Sequence, residues 1–463
     1  MCGTMFYSRQ LKLILSLMKK VLHYFIYLLS NPIKNSVMQN YLKILVFILL
    51  AVAYGCSNRS GKAENWTHFR GSGLDGKAAT DNVPLEWNEE TGIAWKTPVH
   101  GRGWSSPVVY GDQIWVTTAS VDGKELYAVC IDFNTGDILH NIKVFSFDSA
   151  IRKHDINSFA SPTPAIEDGF VYVHYGSMGT ACINTANGKI EWTRTDLECN
   201  HVQGPGSSAF LYNDLLILHY EGVDVRFITG LDKQTGKTVW ETHRPDEPYE
   251  KIPWIGTKAY VTPFIVSVNG RDLMISNGSA TIHAYDPLSG EEVWSIVRGA
   301  ESTVSMPFAE NGVVYFETGF MVDENRNRFS ELMAVNPDGT GDIAETNVLW
   351  SIRVAPMPLS TPVIHNGLIY SVDSGRMIRC YDASDGRELW SHRVRNQYNS
   401  SPVLAGGHIY FNSTRGETFV LKEGRELDIV AENQLDGEIW ATPAVLRNSI
   451  IMRTDSHLYR IVN

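Results

Sequence analysis

The sequence predicts an all-β fold: a single eight-bladed β-propeller of four-stranded antiparallel blades. Three observations predict it. A small residue, usually Ser or Thr, stands at the start of an apolar strand, usually before Pro, and a tight turn and a second strand follow; the unit occurs eight times, about 48 residues apart. Between those copies, Asp or Asn is followed four residues later by Gly and four later again by Trp. The last unit is one strand short, and a strand bearing the same Gly and Trp stands alone near the beginning of the chain.

The N-terminus comes first. Residues 1–55 carry Arg9, Lys12, Lys19, Lys20, Lys34 and Lys43 and no acid. Met38 to Cys56 has the layout of a secretory signal, with Lys43 as its charged flank, Ile44–Val52 as its apolar core, and Ala53 and Gly55 before Cys56. About ten apolar residues are too few for a permanent span, which needs roughly 20. Val52-Ala53-Tyr54-Gly55-Cys56 resembles the lipobox of bacterial lipoproteins, although Ala53 stands where Leu is usual. The resemblance makes Cys56 the site of lipid attachment. Residues 1–37 read as an over-extended start ahead of Met38, or as an extra N-terminal segment. Residues 38–55 are then the signal, 56–84 a tether and N-terminal arm, and 85–463 the propeller.

Charge narrows the function. Subtracting the six basic residues of 1–55 from 40 Lys and Arg leaves 34 against 51 Asp and Glu, a formal charge of −17. A body that acidic repels phosphate backbones and anionic lipid, so nucleic-acid partners are excluded and any membrane contact is through the lipid alone. With 43% hydrophobic and 20% charged residues, extensive disorder is excluded too.

The units open at Ser106-Pro107, Thr163-Pro164, Ser208-Ala209, Thr262-Pro263, Met306-Pro307, Thr361-Pro362, Ser401-Pro402 and Thr442-Pro443. Pro at a strand's start loses no ladder bond. The turns that follow, such as Asn269-Gly270, Asn311-Gly312 and Gly406-Gly407, supply the positive φ angles of two-residue hairpins. The second signature reads Asn184/Gly188/Trp192, Asp232/Gly236/Trp240, Asp286/Gly290/Trp294 and Asp382/Gly386/Trp390, with looser copies at Asp132/Gly136/His140 and Asn336/Gly341/Trp350. Its acid or amide bonds the turn's own backbone, and Trp lands on the outgoing strand. Thr91-Gly92-Ile93-Ala94-Trp95 carries the signature without a strand pair ahead of it. Ile93–Val99 is therefore expected to complete the last blade and close the ring.

The Asp/Asn-x-x-Thr/Ser-Gly-Lys/Glu-x-x-Trp units, best at Asp232–Trp240, resemble the tryptophan-docking repeats of pyrroloquinoline-quinone-type propellers, from about Glu64 to Asn463. The segments Asn65–Gly71 and Gly103–Pro107 resemble an envelope branch of that family. The resemblance implies that Trp95, Trp192, Trp240, Trp294, Trp350 and Trp390 lock neighbouring blades together, with or without a quinone. It offers two functions. One is a non-catalytic scaffold of the BamB-like lipoprotein group; the other is a quinone-dependent dehydrogenase holding Ca²⁺. The dehydrogenases carry adjacent cysteines against the quinone, and this chain has no Cys-Cys pair and no C-x-x-C-H haem site. The reading is therefore a monomeric scaffold without quinone, Ca²⁺ or other metal, lipid-anchored in the bacterial envelope on the periplasmic side of the outer membrane.

The cysteines agree. Cys130, Cys182 and Cys380 each stand two residues before the turn Asp or Asn, where Ala284 and Ala334 stand in other units. A small buried slot in separate blades offers no disulfide partner. Cys199 has no repeat counterpart.

Consecutive turns of a four-stranded blade alternate between the ring's faces, so the fourth-to-first connections and second-to-third turns share one. The long insertions fall there: Val144–Ser158, Arg194–Gly206, Thr242–Tyr260 and Met321–Phe329. That elaborated face is the expected partner or ligand surface, carrying His154, Asp155, His201, His243, Arg244, Tyr249 and Trp254. The three His could converge on a metal, although no short spacing supports it. Tyr249 and Trp254 beside Arg244 would suit protein anchors, with Trp254 alternatively a plug over the channel.

Overall fold

A computed structural model describes residues 64–463; the signal, Cys56 and residues 57–62 lie outside the described residues. Eight antiparallel sheets follow one another in chain order around a ring. Blade 1 is Val108–Tyr110, Gln113–Ala119, Glu125–Asp132 and Ile138–Ser146, and blades 2 to 7 repeat its order of short inner strand, long second strand, third strand and outer strand. In blade 8, Ala444–Leu446, Ser449–Arg453 and His457–Val462 are joined by Ile93–Pro98, antiparallel to the last of them with Trp95 opposite Arg460. The ring thus closes by hydrogen bonds between the two ends of the described chain.

Burial explains the strand sequences. Second strands lie between neighbouring blades and are buried on both sides, as every residue of Leu215–Glu221 is. Outer strands face solvent on one side and alternate, as Val348–Val354 does throughout its length.

Neighbouring blades meet through the tryptophans. The Nε1–H groups of Trp95, Trp192, Trp294 and Trp350 donate to the carbonyls of Phe133, Lys233, Pro337 and Ala383 in the following blade, each at 3.0 Å, and Trp390 reaches Gly424 at 3.3 Å. Trp240 makes no such bond. Its ring still rests on the following turn, where a Cβ on Gly290 (φ +72°) would come within 2.4 Å of it. Glycine there serves both the left-handed turn and the seat of the indole.

The segment before the ring crosses the face that carries the first-to-second-strand turns. Trp66 pairs with Val109 of blade 1, Thr67 O accepts from Ile166 N of blade 2, and His68 Nε2 accepts from Leu211 N of blade 3. Arg70 then donates to the carbonyls of Thr361 and Pro362 in blade 6, both at 2.7 Å, and Ala78 bonds Leu404 of blade 7. This face carries an insertion of its own. The 336–347 connection within blade 5 adds Gly341–Asp342 as a parallel strand beside Trp294 and Ser295 of blade 4.

Candidate functional site

The segment closes one end of the central channel, and the other end opens as a funnel of about 330 Å³ on the face of the long insertions. Phe69 forms part of its floor; Trp104 and Trp440 stand at its side, stacked at 5.2 Å. Ile156, Val304, Met306 and Leu359 supply apolar wall.

The funnel's waist is built by the residue that opens each repeat. Ser106 N donates to Thr163 Oγ1, Thr163 N to Ser208 Oγ, and Ser208 N to Thr262 Oγ1, at 3.0, 2.9 and 2.9 Å. Met306 N donates to Thr361 Oγ1, Thr361 N to Ser401 Oγ, and Ser401 N to Thr442 Oγ1, at 3.0, 2.9 and 2.9 Å. Two arcs of three bonds make a girdle of seven hydroxyls, interrupted where Met306 replaces the hydroxyl and where Ser106 Oγ accepts nothing. All eight positions line the cavity.

A second ring lies behind it. Thr117, His174, His219, Asn277, Glu317, Asn412 and Arg453 occupy one register position on seven second strands, two residues beyond the partner of the first inner-strand residue. All are buried. Four of them bond the carbonyl just before the next girdle residue: Thr117 Oγ1 to Pro162 O, His219 Nδ1 to Val261 O, Asn277 Nδ2 to Ser305 O, and Arg453 to Ser105 O. Buried carbonyls need such partners, so this ring holds the girdle in place. Each repeat opener reads in sequence only as the start of a strand. The signal for the second ring was a polar residue near the end of seven second strands, plain in Phe170–His174 and Val313–Glu317 and blurred elsewhere by other polar residues.

The predicted face residues separate in the structure. His154 lines the funnel, with Asp155 exposed beside it. His201 is buried against Tyr220, and His243 lies on the outer strand of blade 3, bonded to Glu241. The three His do not converge, and among the described residues no cluster of three His, Cys, Asp or Glu could hold a metal.

Arg244 and Tyr249 are not surface anchors. Both are buried in a network around Glu221, which pairs with Arg244 at 2.9 Å and accepts from Tyr249 OH at 3.1 Å and Ser279 N at 2.6 Å. Arg244 also donates to Ser276 O and Oγ. Burial pushes the Glu221 carboxyl up, but Arg244 and His219 more than offset it and hold it at about 2. The network pins the 242–260 connection down and leaves Trp254 exposed, away from the funnel lining and so no plug. Cys130, Cys182, Cys199 and Cys380 are free and buried, and burial pushes every thiol up.

The funnel does not fit a quinone with Ca²⁺. That cation takes six to eight oxygen ligands, carboxylates above all, and no carboxylate lines the cavity. No pair of adjacent cysteines is present to face a quinone.

The model of the family described as outer membrane protein assembly factor BamB matches residues 88–252, 228–344 and 331–440. The chain belongs to this family. None of the curated proteins matches its sequence. Among solved structures, BamB from Moraxella catarrhalis is similar at a TM-score of 0.55 and 13% identity, over 80% of this chain and 99% of that one. The computationally designed Ika8 protein is similar at 0.52 and 10%, over 79% and 99%. At a lower TM-score of 0.43 stands the quinohemoprotein alcohol dehydrogenase of Comamonas testosteroni, 12% identical over 87% and 81%. These likenesses concern the fold.

Proposed function

We propose that this chain is a non-catalytic scaffold of the bacterial envelope. In this reading it is a monomer held by a lipid on Cys56 at the periplasmic side of the outer membrane, and it binds a protein partner through the funnel face. Membership of the BamB family supports the envelope setting. The observation that carries the binding reading is the 242–260 connection. Trp254 is 62% exposed and Ile255 43%, on a loop that the buried Glu221–Arg244–Tyr249 network holds in one conformation. A rigid loop loses little entropy on docking, and Trp is among the residues enriched at the energetic centres of interfaces.

The test is crosslinking in intact cells with Trp254→Ala. The expected outcome is loss of a crosslinked partner while the melting temperature stays unchanged. An unaltered set of crosslinks would move the partner to another surface. Labelled palmitate should leave the protein in Cys56→Ala, and its retention would remove the tether from the proposal.

A further inference from the structure

We propose that the funnel binds a small carboxylate with an apolar body. This site is separate from the partner surface at Trp254, and the test below leaves the crosslinking result untouched if it fails.

The donors come first. Six girdle hydroxyls each accept a neighbour's N–H and donate to no atom among the described residues, so their O–H groups remain for whatever occupies the funnel. Ser106 Oγ, bonded to nothing among the described residues, adds a seventh. Trp104 Nε1 is buried at the same wall without a partner. Two of the amide oxygens are engaged: Gln203 Oε1 takes the Tyr260 hydroxyl, and Asn157 Oδ1 takes Ser158 N and Ser161 Oγ. Asn399 Oδ1 has no partner, and turning that amide presents its NH₂ at the same point. A carboxylate only accepts. Each girdle hydroxyl also keeps a lone pair, so a neutral polyol would find partners here too, and charge decides between the two.

Charge points to the carboxylate. Two buried guanidiniums stand directly behind the girdle, Arg70 on the carbonyl of Thr361 and Arg453 on the carbonyl and hydroxyl of Ser105. Neither makes an ion pair within 4 Å among the described residues; carbonyls and a hydroxyl hold them, and the Asp75 carboxylate acts on Arg70 from further away. Glu317, buried near Arg70, is pushed up to about 8 by burial above all, so it is mostly neutral at pH 7. At the rim, Arg102 lies 4.9 Å over the Trp104 ring, and Lys153 stands beside Gly204. Of the rim's acids, Glu438 is engaged by Trp440 Nε1 and Asp155 points to solvent. In a partly dry cavity this surplus of positive charge acts at several ångströms. The apolar wall and the volume suit a body about the size of a phenyl ring.

The experiment titrates the full-length protein with phenylacetate and phenylacetamide, followed by calorimetry. Phenylacetate is expected to bind at least tenfold more tightly. Ser106→Ala, which removes a hydroxyl with no structural bond, should weaken it about tenfold at an unchanged melting temperature. Lys153→Gln should weaken it a fewfold and flatten its salt dependence. Equal binding of the amide, no binding of either at millimolar concentration, or an indifferent Ser106→Ala would each overturn the proposal. Trialanine with a free or amidated C-terminus distinguishes the source. If the free-acid peptide binds more tightly than phenylacetate, the carboxylate is a chain end; if phenylacetate binds more tightly, it is a free acid.

Discussion

Glu221 and Glu317 are buried at the ends of second strands in blades 3 and 5, and their surroundings drive them to opposite charge states. Glu221 has a guanidinium, an imidazole, a hydroxyl and a backbone N–H around it and is held at about 2. Glu317 lacks a cation in contact and is pushed up to about 8, burial acting first and Asp373 adding to it, against Ser305 and a more distant Arg70. Most of the difference comes from Arg244, which the 242–260 insertion brings in. The insertion converts a buried acid from a liability into the point that fixes the loop.

Removing that cation should have the largest effect. Arg244→Met leaves Glu221 buried without its guanidinium, which costs about 3–5 kcal/mol in comparable pairs. Denaturant unfolding at pH 7 measures it, and proteolysis should then cut within 242–260 first. A loss below about 1 kcal/mol would mean that the loop is held by its apolar contacts and that the two glutamates differ only in charge. In the parent protein the Glu221 contribution is present above the ordinary carboxyl value of 4.5 and is lost as pH falls through about 2.

Glu317 gives the opposite sign. Its folded value of about 8 lies above the ordinary 4.5, so the folded state keeps a proton that the unfolded chain releases. Stability therefore falls as pH rises from about 4.5 to 8 and levels off beyond. Glu317→Gln should be nearly neutral at pH 5 and more stable than the parent at pH 9, by about 2 kcal/mol or more. Melting temperatures of both proteins across that range provide the check; parallel curves would show that Glu317 is ionised in the fold.

How much of this could be read from the sequence follows from how local each feature is. The Asp286/Gly290/Trp294 type of signature joins a turn, its left-handed glycine and an outgoing strand within nine residues, so blade number and closure by Ile93–Pro98 were legible. The girdle was half legible. Its Ser and Thr residues were visible as a repeat, but only closure of the ring turns eight strand openers toward a common axis. Tyr249 was misread as an exposed anchor because its partners, Glu221, Arg244 and Thr281, come from separate strands and connections with no periodic spacing. Arg70 was invisible for the same reason, since its two blade 6 acceptors lie some 290 residues away.

The contrast between a met and an unmet polar group recurs at smaller scale between blades. Trp192 and Trp240 both rest on the glycine of the next turn, at Gly236 and Gly290, where a Cβ would lie 2.6 and 2.4 Å from the ring. Trp192 Nε1 donates to Lys233 O, whereas Trp240 Nε1 is buried with no acceptor. Replacing either by Phe removes similar ring surface, so the apolar losses nearly cancel in the comparison. Trp192→Phe also breaks a bond worth about 1 kcal/mol and strands a carbonyl, while Trp240→Phe relieves an unsatisfied donor. Trp192→Phe should therefore be the more destabilising by about 1–2 kcal/mol in parallel denaturant titrations. Equal losses would assign the docking of neighbouring blades to ring-on-glycine contact alone, and the five N–H bonds to carbonyls of the following blade would then be incidental to it.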